Sequence, residues 1–331
     1  MSGEGEAMKI GVVGAGAWGT ALAQVIASSS DPVLIWAFES DVVTAINRHH
    51  VNKSYLPDVL LSPAIHATGD MADLTTCDAL LVACPAQHLR AIVAQLPNPQ
   101  TPLILCAKGI EAGSGKLMSQ VAHEAAPHAP IAVLSGPTFA HEVAAGLPAA
   151  VTLACADVAL GQRLVSRIAG PAFRPYLSDD VIGAEIGGAV KNVLAIACGV
   201  AEGAGLGHNA RAALISRGFA EMTRFGLKLG ARAETLAGLS GLGDLVLTCS
   251  STNSRNFSLG KGLGEGRLAA DLLSNRRTVA EGAFTAPVLR DVAKTQGVDM
   301  PIVEGVCALL EGQVGVADMI ETLLARPLRN E

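Results

Sequence analysis

The chain has 331 residues, of which 50% are hydrophobic and 16% charged, enough apolar material for about two domains. Its net charge of −6 offers no general attraction to nucleic acid or anionic lipid, so phosphate recognition must come from a local site. The seven cysteines are odd in number, scattered and free of C-x-x-C pairs, which fits reduced thiols in a cytoplasmic protein. The opening MSGEGEA is acidic where a signal peptide is basic and then apolar, and no later apolar run reads as long enough to span a bilayer. A protein without membrane insertion is expected.

From Met8 to Leu177 short runs rich in Val, Ile and Leu alternate with amphipathic stretches of helical length, the signature of βαβ units and a parallel sheet. Strands are expected at KIGVVG from Lys9, PVLIWA from Pro32, DALLVAC from Asp78, PLILCAK from Pro102, PIAVLSG from Pro130 and AAVTLAC from Ala149, with a weaker one at FRPYL from Phe173. Their near-continuous apolarity implies that both sheet faces are covered. After Asp179 strand-like runs stop, and GAEIGGAVKNVLAIACGVAEGAG reads as one long helix rich in small residues. The expected architecture is α/β: an N-terminal Rossmann-type parallel-sheet domain over 8–178 and an all-α domain over 179–331. The Gly- and Ser-dense stretch from Gly238 to Gly266 reads as a folded, turn-rich segment.

The first strand runs into Gly14-Ala15-Gly16-Ala17-Trp18-Gly19 and then into the helical pattern TALAQVIA. In such a turn Gly14 permits the tight bend, Gly16 lets backbone approach a pyrophosphate and Gly19 lets helix and strand pack closely, while the helix amides face the anion. A plain glycine-rich strand-to-helix turn is the other reading. Glu39 lies twenty residues beyond Gly19, after the second strand. A carboxylate there can accept from the ribose 2′-hydroxyl of NAD, or cap the helix that follows. Against a 2′-phosphate it costs ~1 kcal/mol per charge in water at ~4 Å and ~4 kcal/mol at an effective dielectric of 20. NAD is thereby favoured over NADP.

GAGAWGTALA, CAKGIE, SGPTFAHEV, GAVKNVLAIACG, GLSGLGDLVLTC, SRN and EGAFTA follow one another from Gly14 onward. In these motifs the chain resembles the bacterial-type NAD(P)-dependent glycerol-3-phosphate dehydrogenases over nearly its whole length. The resemblance implies a Rossmann domain, a helical domain and an active site in the cleft between them. It implies hydride exchange between a nicotinamide and dihydroxyacetone phosphate or sn-glycerol 3-phosphate, serving phospholipid synthesis, with Lys191 as proton acceptor. It places substrate at Lys108, Gly136, Thr138, Lys191, Asp244, Ser254, Arg255 and Asn256, and cofactor at Trp18, Lys108, Ala140, Arg255, Val279 and Glu281. A homodimer is compatible with it. The chain departs from the family's pattern at Ala17, where Ser is common, at Phe38-Glu39, where an Arg often holds a 2′-phosphate, and at His141, where Lys is common. Gly14, Gly16, Ala17, Gly19, Phe38 and Glu39 complete the candidate nucleotide residues.

Oxidising a secondary alcohol requires a base for the hydroxyl proton as hydride leaves, and the reverse reaction an acid at the same place; a lysine serves as both. The GGAV and VLAIA around Lys191 supply an apolar wall, whereas a helix lysine that snorkels to solvent is the bland alternative. Asp244 can orient the ammonium or merely cap a helix. Lys108 ends a strand, the edge where open α/β sheets place ligands, and can polarise a carbonyl or meet phosphate. Ser254-Arg255-Asn256 reads as a helix start offering backbone and forked donors to a phosphate, or as an ordinary capped helix. Ser135-Gly136-Pro137-Thr138 can hold the glycerol portion or be a simple turn. The eight histidines show no metal-ligand spacing, and no metal is expected. The rival readings are a lysine-dependent dehydrogenase of a β-hydroxyacid or phosphosugar acid, and a nucleotide sensor without turnover.

Overall fold

The structure, a computed structural model, describes residues 8–28, 31–274 and 280–325. It comprises two compact units, one formed by Met1–Lys108 with Leu117–Glu185, the other by Gly109–Lys116 with Ile186–Glu331.

The first unit is built on strands β1 (Ile10–Val13), β2 (Val33–Trp36), β3 (Val51–Asn52), β4 (Leu56–Leu60), β5 (Ile65–Thr68), β6 (Ala79–Val82), β7 (Leu103–Leu105), β8 (Ile131–Ser135), β9 (Ala149–Cys155) and β10 (Phe173–Ser178). Eight form one sheet in the order β10-β9-β8-β7-β6-β1-β2-β5, while β3 and β4 make a separate antiparallel hairpin. Leaving the hairpin aside, β5, β2, β1, β6, β7 and β8 reproduce the 3-2-1-4-5-6 order of the doubly wound dinucleotide fold. Alternate residues feed opposite cores. Val12, Leu81, Ile104 and Leu134 join one buried cluster with Leu22 and Ile26 of the helix Ala17–Ala27. Val13, Leu80, Val82, Leu105 and Val133 join another with Val121 and Ala122 of the helix Met118–Ala125. Both faces are therefore covered, which is why these strands lack polar alternation.

Every strand expected from the sequence is present, but the sheet is not wholly parallel. Strands β8 and β9 pair antiparallel, with Leu134 opposite Leu153, and β10 then runs parallel to β9. Apolar content marks a strand as buried and carries no information on its direction. The β3–β4 hairpin and β5 were not anticipated. They are short: β3 has two residues and shifts register against β4 between Val51 and Asn52, and β5 alternates apolar and polar over only four residues, too few to stand out.

Among its described residues the second unit contains helices and no strand. The helix Val181–Gly203 corrects one expectation: at 23 residues it is long and apolar enough to cross a membrane. Of its most apolar window 89% is buried within the protein, so its apolarity serves a core.

Small residues let this helix meet its neighbour backbone to backbone. A Cβ added at Gly199 would overlap the Phe257 carbonyl oxygen, and one at Gly203 the Lys261 carbonyl. Reciprocally, Cβ atoms at Gly260 and Gly264 would overlap the carbonyls of Ile196 and Val200. Each pair of glycines is spaced i,i+4, which puts both on one face of its helix. The register of the helix Arg255–Gly264 against the Lys191-bearing helix is thus set by the absence of side chains.

Replacing glycine by alanine inside an exposed helix ordinarily stabilises by ~1 kcal/mol. Here overpacking, at ~1–3 kcal/mol and against rigid backbone, outweighs that gain. Gly260→Ala is expected to lower stability by about 2 kcal/mol in urea unfolding; an unchanged or raised midpoint would show that the helices can part without cost.

Candidate functional site

At the carboxyl end of β1, beside the point where strand order reverses, the three glycines occupy distinct environments. Gly14 has φ +105°, a left-handed conformation, and its amide donates to the Trp36 carbonyl at 3.0 Å. A Cβ on Gly19 would overlap the Gly14 carbonyl oxygen, so helix and turn touch there. A Cβ on Gly16 would meet nothing within 4 Å. The protein thus requires glycine at the first and third positions for its own packing, whereas at the second it leaves open space beside the start of a helix. Helix N-termini carry unsatisfied amides, so this opening suits a pyrophosphate. Ala17 is the first residue of that helix, and the Trp18 indole Nε1 is buried without a hydrogen-bond partner among the described residues.

Beyond β2, Phe38 is 85% exposed, while Glu39 is half-buried. Glu39 occupies the N-cap position of the helix Ser40–His49, yet its side chain makes no capping bond. Its Oε1 instead accepts from the Tyr55 hydroxyl at 2.7 Å. The carboxylate is held by a residue of the hairpin through one of its two oxygens.

The strand-end residues Lys108, Gly136 and Thr138 converge. Lys108 Nζ and Thr138 Oγ1 both donate to the Gly136 carbonyl, at 3.3 Å each. A side chain at Gly136 would come within 2.8 Å of the Val151 Cα, so glycine is required by the neighbouring strand. Ala140 opens the helix Ala140–Ala144.

In the second unit, Lys191 lies with its side chain 7% exposed against Asp244 at 0%. Its Nζ donates to Asp244 Oδ1 at 2.5 Å and to Thr248 Oγ1 at 2.9 Å, and Thr248 in turn donates to Asp244 Oδ1 at 3.2 Å. Asp244 is the first residue of the helix Asp244–Thr248, where a carboxylate complements the helix dipole, so it is both a helix-start acid and the partner of the lysine. The preceding π-turn, Leu239–Gly243, seats this helix. A Cβ at Gly187 would overlap the Ser240 carbonyl, which brings the Lys191 helix hard against the turn. Lys191 is therefore no snorkelling surface lysine. A buried ammonium is held by an opposite charge and a hydroxyl.

Ser254 caps the helix Arg255–Gly264, its Oγ accepting from the Phe257 amide at 3.2 Å, and Arg255 is exposed at the first turn. Asn256 is buried and bonded at both ends of its amide: Nδ2 donates to Asn192 Oδ1 at 3.0 Å and Oδ1 accepts from the Gly282 amide at 2.9 Å. It ties the residue after Lys191 to this helix start and to the start of the helix Glu281–Thr295, next to Glu281. Val279 lies outside the described residues.

Two family models match this chain. One, described as the NAD-dependent glycerol-3-phosphate dehydrogenase N-terminus, spans residues 9–160, and the other, described as the C-terminus of the same enzyme, spans 180–321. The chain belongs to the NAD-dependent glycerol-3-phosphate dehydrogenase family. It is 62% identical to glycerol-3-phosphate dehydrogenase [NAD(P)+] 1 of Sphingopyxis alaskensis over 97% of both chains. To the corresponding protein of Erythrobacter litoralis it is 63% identical over 98% of both. The crystal structure of glycerol-3-phosphate dehydrogenase from Coxiella burnetii superposes with a TM-score of 0.92 at 37% identity, covering 96% of this chain and 99% of that one.

Within this family frame, sequence reading missed four residues that hold the candidate site groups. Thr248 had a signal, since it lies four residues after Asp244 and so on the same helix face. Asn192 adjoins Lys191 but points to Asn256, which no local pattern indicates. Tyr55 and Asn52 belong to the unexpected hairpin.

Two buried carboxylates brace this framework from outside it. Glu185 accepts from the Ser119 amide and hydroxyl at 2.6 Å each, at the start of the helix Met118–Ala125. Glu221 accepts from the Ile302 amide at 2.8 Å, at the start of the helix Pro301–Leu310. Burial pushes each carboxyl up to about 7, and the hydrogen bonds they accept counter that only in part. A carboxyl raised from its unfolded value near 4.5 favours the folded state fully below that value and loses the advantage as pH rises through about 7. Stability is expected to fall between pH 5 and 8, by roughly 3 kcal/mol per carboxyl. Urea midpoints across that range should decline for the natural chain and less steeply for Glu185→Gln; identical slopes would show that Glu185 titrates normally.

Proposed function

We propose that the chain interconverts dihydroxyacetone phosphate and sn-glycerol 3-phosphate, with Lys191 as the acid and base. The observation that carries this reading is the buried Lys191–Asp244–Thr248 cluster. A bound nicotinamide supplies or accepts the hydride. As the ketone is reduced its oxygen gathers negative charge and needs a proton, which the Lys191 ammonium donates; in the oxidation the neutral amine takes the hydroxyl proton. Asp244 holds the ammonium in place and compensates its charge, and Thr248 fixes the geometry of both.

The phosphate is assigned to the start of the helix Arg255–Gly264. Arg255 brings a guanidinium, the helix start brings the amides that Ser254 does not cap, and Ser254 shapes the cap. Asn256 anchors that start to the Lys191 helix and keeps a second Nδ2 hydrogen for the ligand. Lys108, with Gly136 and Thr138, is assigned to the substrate and nicotinamide side, Ala140 and Glu281 to cofactor contacts, and Val279 follows by family resemblance. The functional division proposed is residues 8–178 for the dinucleotide and 179–331 for substrate and catalysis.

Glu39 supports a preference for NAD. Pinned by Tyr55, its carboxylate can accept from a ribose 2′-hydroxyl, whereas a 2′-phosphate meets like charge. Phe38, exposed beside it, offers a flat apolar face to the adenine. The same proposal extends to supply of glycerol 3-phosphate for phospholipid synthesis, a cytoplasmic location and a homodimeric assembly.

The test follows reduced-nicotinamide absorbance with dihydroxyacetone phosphate. Turnover should be at least tenfold more efficient with NADH than with NADPH, and Lys191→Ala should lower kcat by ~10²–10⁴ with NADH binding retained. Turnover of a hydroxyacid in place of the triose phosphate, or full activity in Lys191→Ala, contradicts the assignment. A large advantage for NADPH contradicts the role given to Glu39.

A further inference from the structure

Asn52 belongs to none of the motifs that carry the family resemblance, yet it is fully buried. From β3 its Nδ2 donates to the Ala15 carbonyl oxygen at 2.8 Å and to Thr20 Oγ1 at 2.8 Å. Thr20 itself donates to the same carbonyl at 3.3 Å. Farther along, the Ser62 amide donates to Gln24 Oε1 at 2.8 Å, one helical turn after Thr20 on the same face. The hairpin is thus moored along the first helix at two points, seated by buried Leu56 and Leu61.

The Ala15 carbonyl belongs to the Ala15–Gly16 peptide, whose plane turns about the Ala15 ψ and the Gly16 φ. Gly16 has no Cβ to restrict its φ, so on that side the plane is fixed by its hydrogen bonds more than by steric clash. A trans peptide is planar, so its C=O and N–H point in opposite directions. Holding the Ala15 oxygen inward therefore directs the Gly16 N–H outward, at the opening beside the helix start. The brace has to be a donor. A carboxylate at position 52 would set oxygen against oxygen and add a negative charge near a phosphate site.

We infer that Asn52 is a positioning residue for the nucleotide, acting through the Ala15–Gly16 peptide to aim the Gly16 amide at the pyrophosphate. This rests on the reading that the Gly14–Gly19 turn binds that group. Tyr55, three residues on, applies the same hairpin to Glu39. One element unrelated to the fingerprint thus holds both recognition points of the dinucleotide.

The experiment measures NADH affinity by fluorescence titration, steady-state kinetics with dihydroxyacetone phosphate, and Tm, on full-length variants. Loss of a hydrogen bond to a buried acceptor predicts a rise of roughly tenfold in the Kd and KM for NADH in Asn52→Ala. The kcat and the KM for dihydroxyacetone phosphate should stay within about twofold, and Asn52→Asp should bind NADH more weakly still. An unchanged NADH affinity in Asn52→Ala, whatever its Tm, overturns the proposal, as does an equal loss in all kinetic parameters. Should Asn52→Ala fail to fold, Thr20→Val decides the matter: it removes one donor to Ala15 and the second acceptor of Asn52, and NADH affinity equal to that of the natural chain would overturn the inference. Gly16→Ala tests the underlying reading separately. Its Cβ meets no protein atom within 4 Å, so it should leave Tm unchanged and weaken NADH. Undiminished binding in Gly16→Ala removes the turn from the nucleotide site, while weakened binding there with none in Asn52→Ala removes only Asn52.

Discussion

A lysine ammonium survives burial only where an opposite charge and hydrogen-bond acceptors replace the water it has lost. The Lys191–Asp244 contact, with Thr248 as a further acceptor, meets that condition. Removing either partner alone takes a close opposite charge from a buried one, so the two residues depend on each other for stability as well as chemistry. A pair of this kind adds little stability compared with well-packed apolar groups. Its presence inside the core is better explained by what an ammonium at that place can do.

The surrounding second unit is organised to keep that pair in register. Gly187 lets the Lys191 helix lie against the turn that leads into Asp244, and Gly199 and Gly203 let it lie against the helix that begins at Arg255. Asn256 adds a polar link, joining Asn192 to the start of the Glu281 helix. Backbone-to-backbone packing leaves little room for sliding, because interiors are close-packed and carbonyl groups do not yield as flexible side chains do. In the first unit the equivalent rigidity comes from polar bracing. Two glycines give the nucleotide turn its shape and also its softness, and Asn52 and Thr20 restrain it.

Much of this was legible in the residues. The apolar runs located the buried strands, because a strand covered on both faces needs no polar alternation, and the glycine spacing located the nucleotide turn. The apolar flanks of Lys191 marked it as buried. Strand direction was not legible: AAVTLAC from Ala149 reads the same whether it runs with or against its neighbour. The hairpin escaped because a two-residue strand with a register shift produces no periodicity, and its key residue, Asn52, looks like any loop asparagine. The 23-residue helix was legible as one long helix rich in small residues, but its length and apolarity also meet the requirement for a membrane span, and only its buried surroundings distinguish the two. The roles of Asn192 and Asn256 depend on contacts 64 residues apart in sequence, which local reading cannot supply.

The central claim is that an amine at position 191 moves the proton. It is tested most directly by chemical rescue of Lys191→Ala with small primary amines during dihydroxyacetone phosphate reduction. The account predicts that methylamine restores turnover in proportion to its concentration, that bulkier amines restore less, and that the natural chain shows no such dependence. An unaltered rate at saturating amine, in a variant that still binds NADH and dihydroxyacetone phosphate, would contradict it.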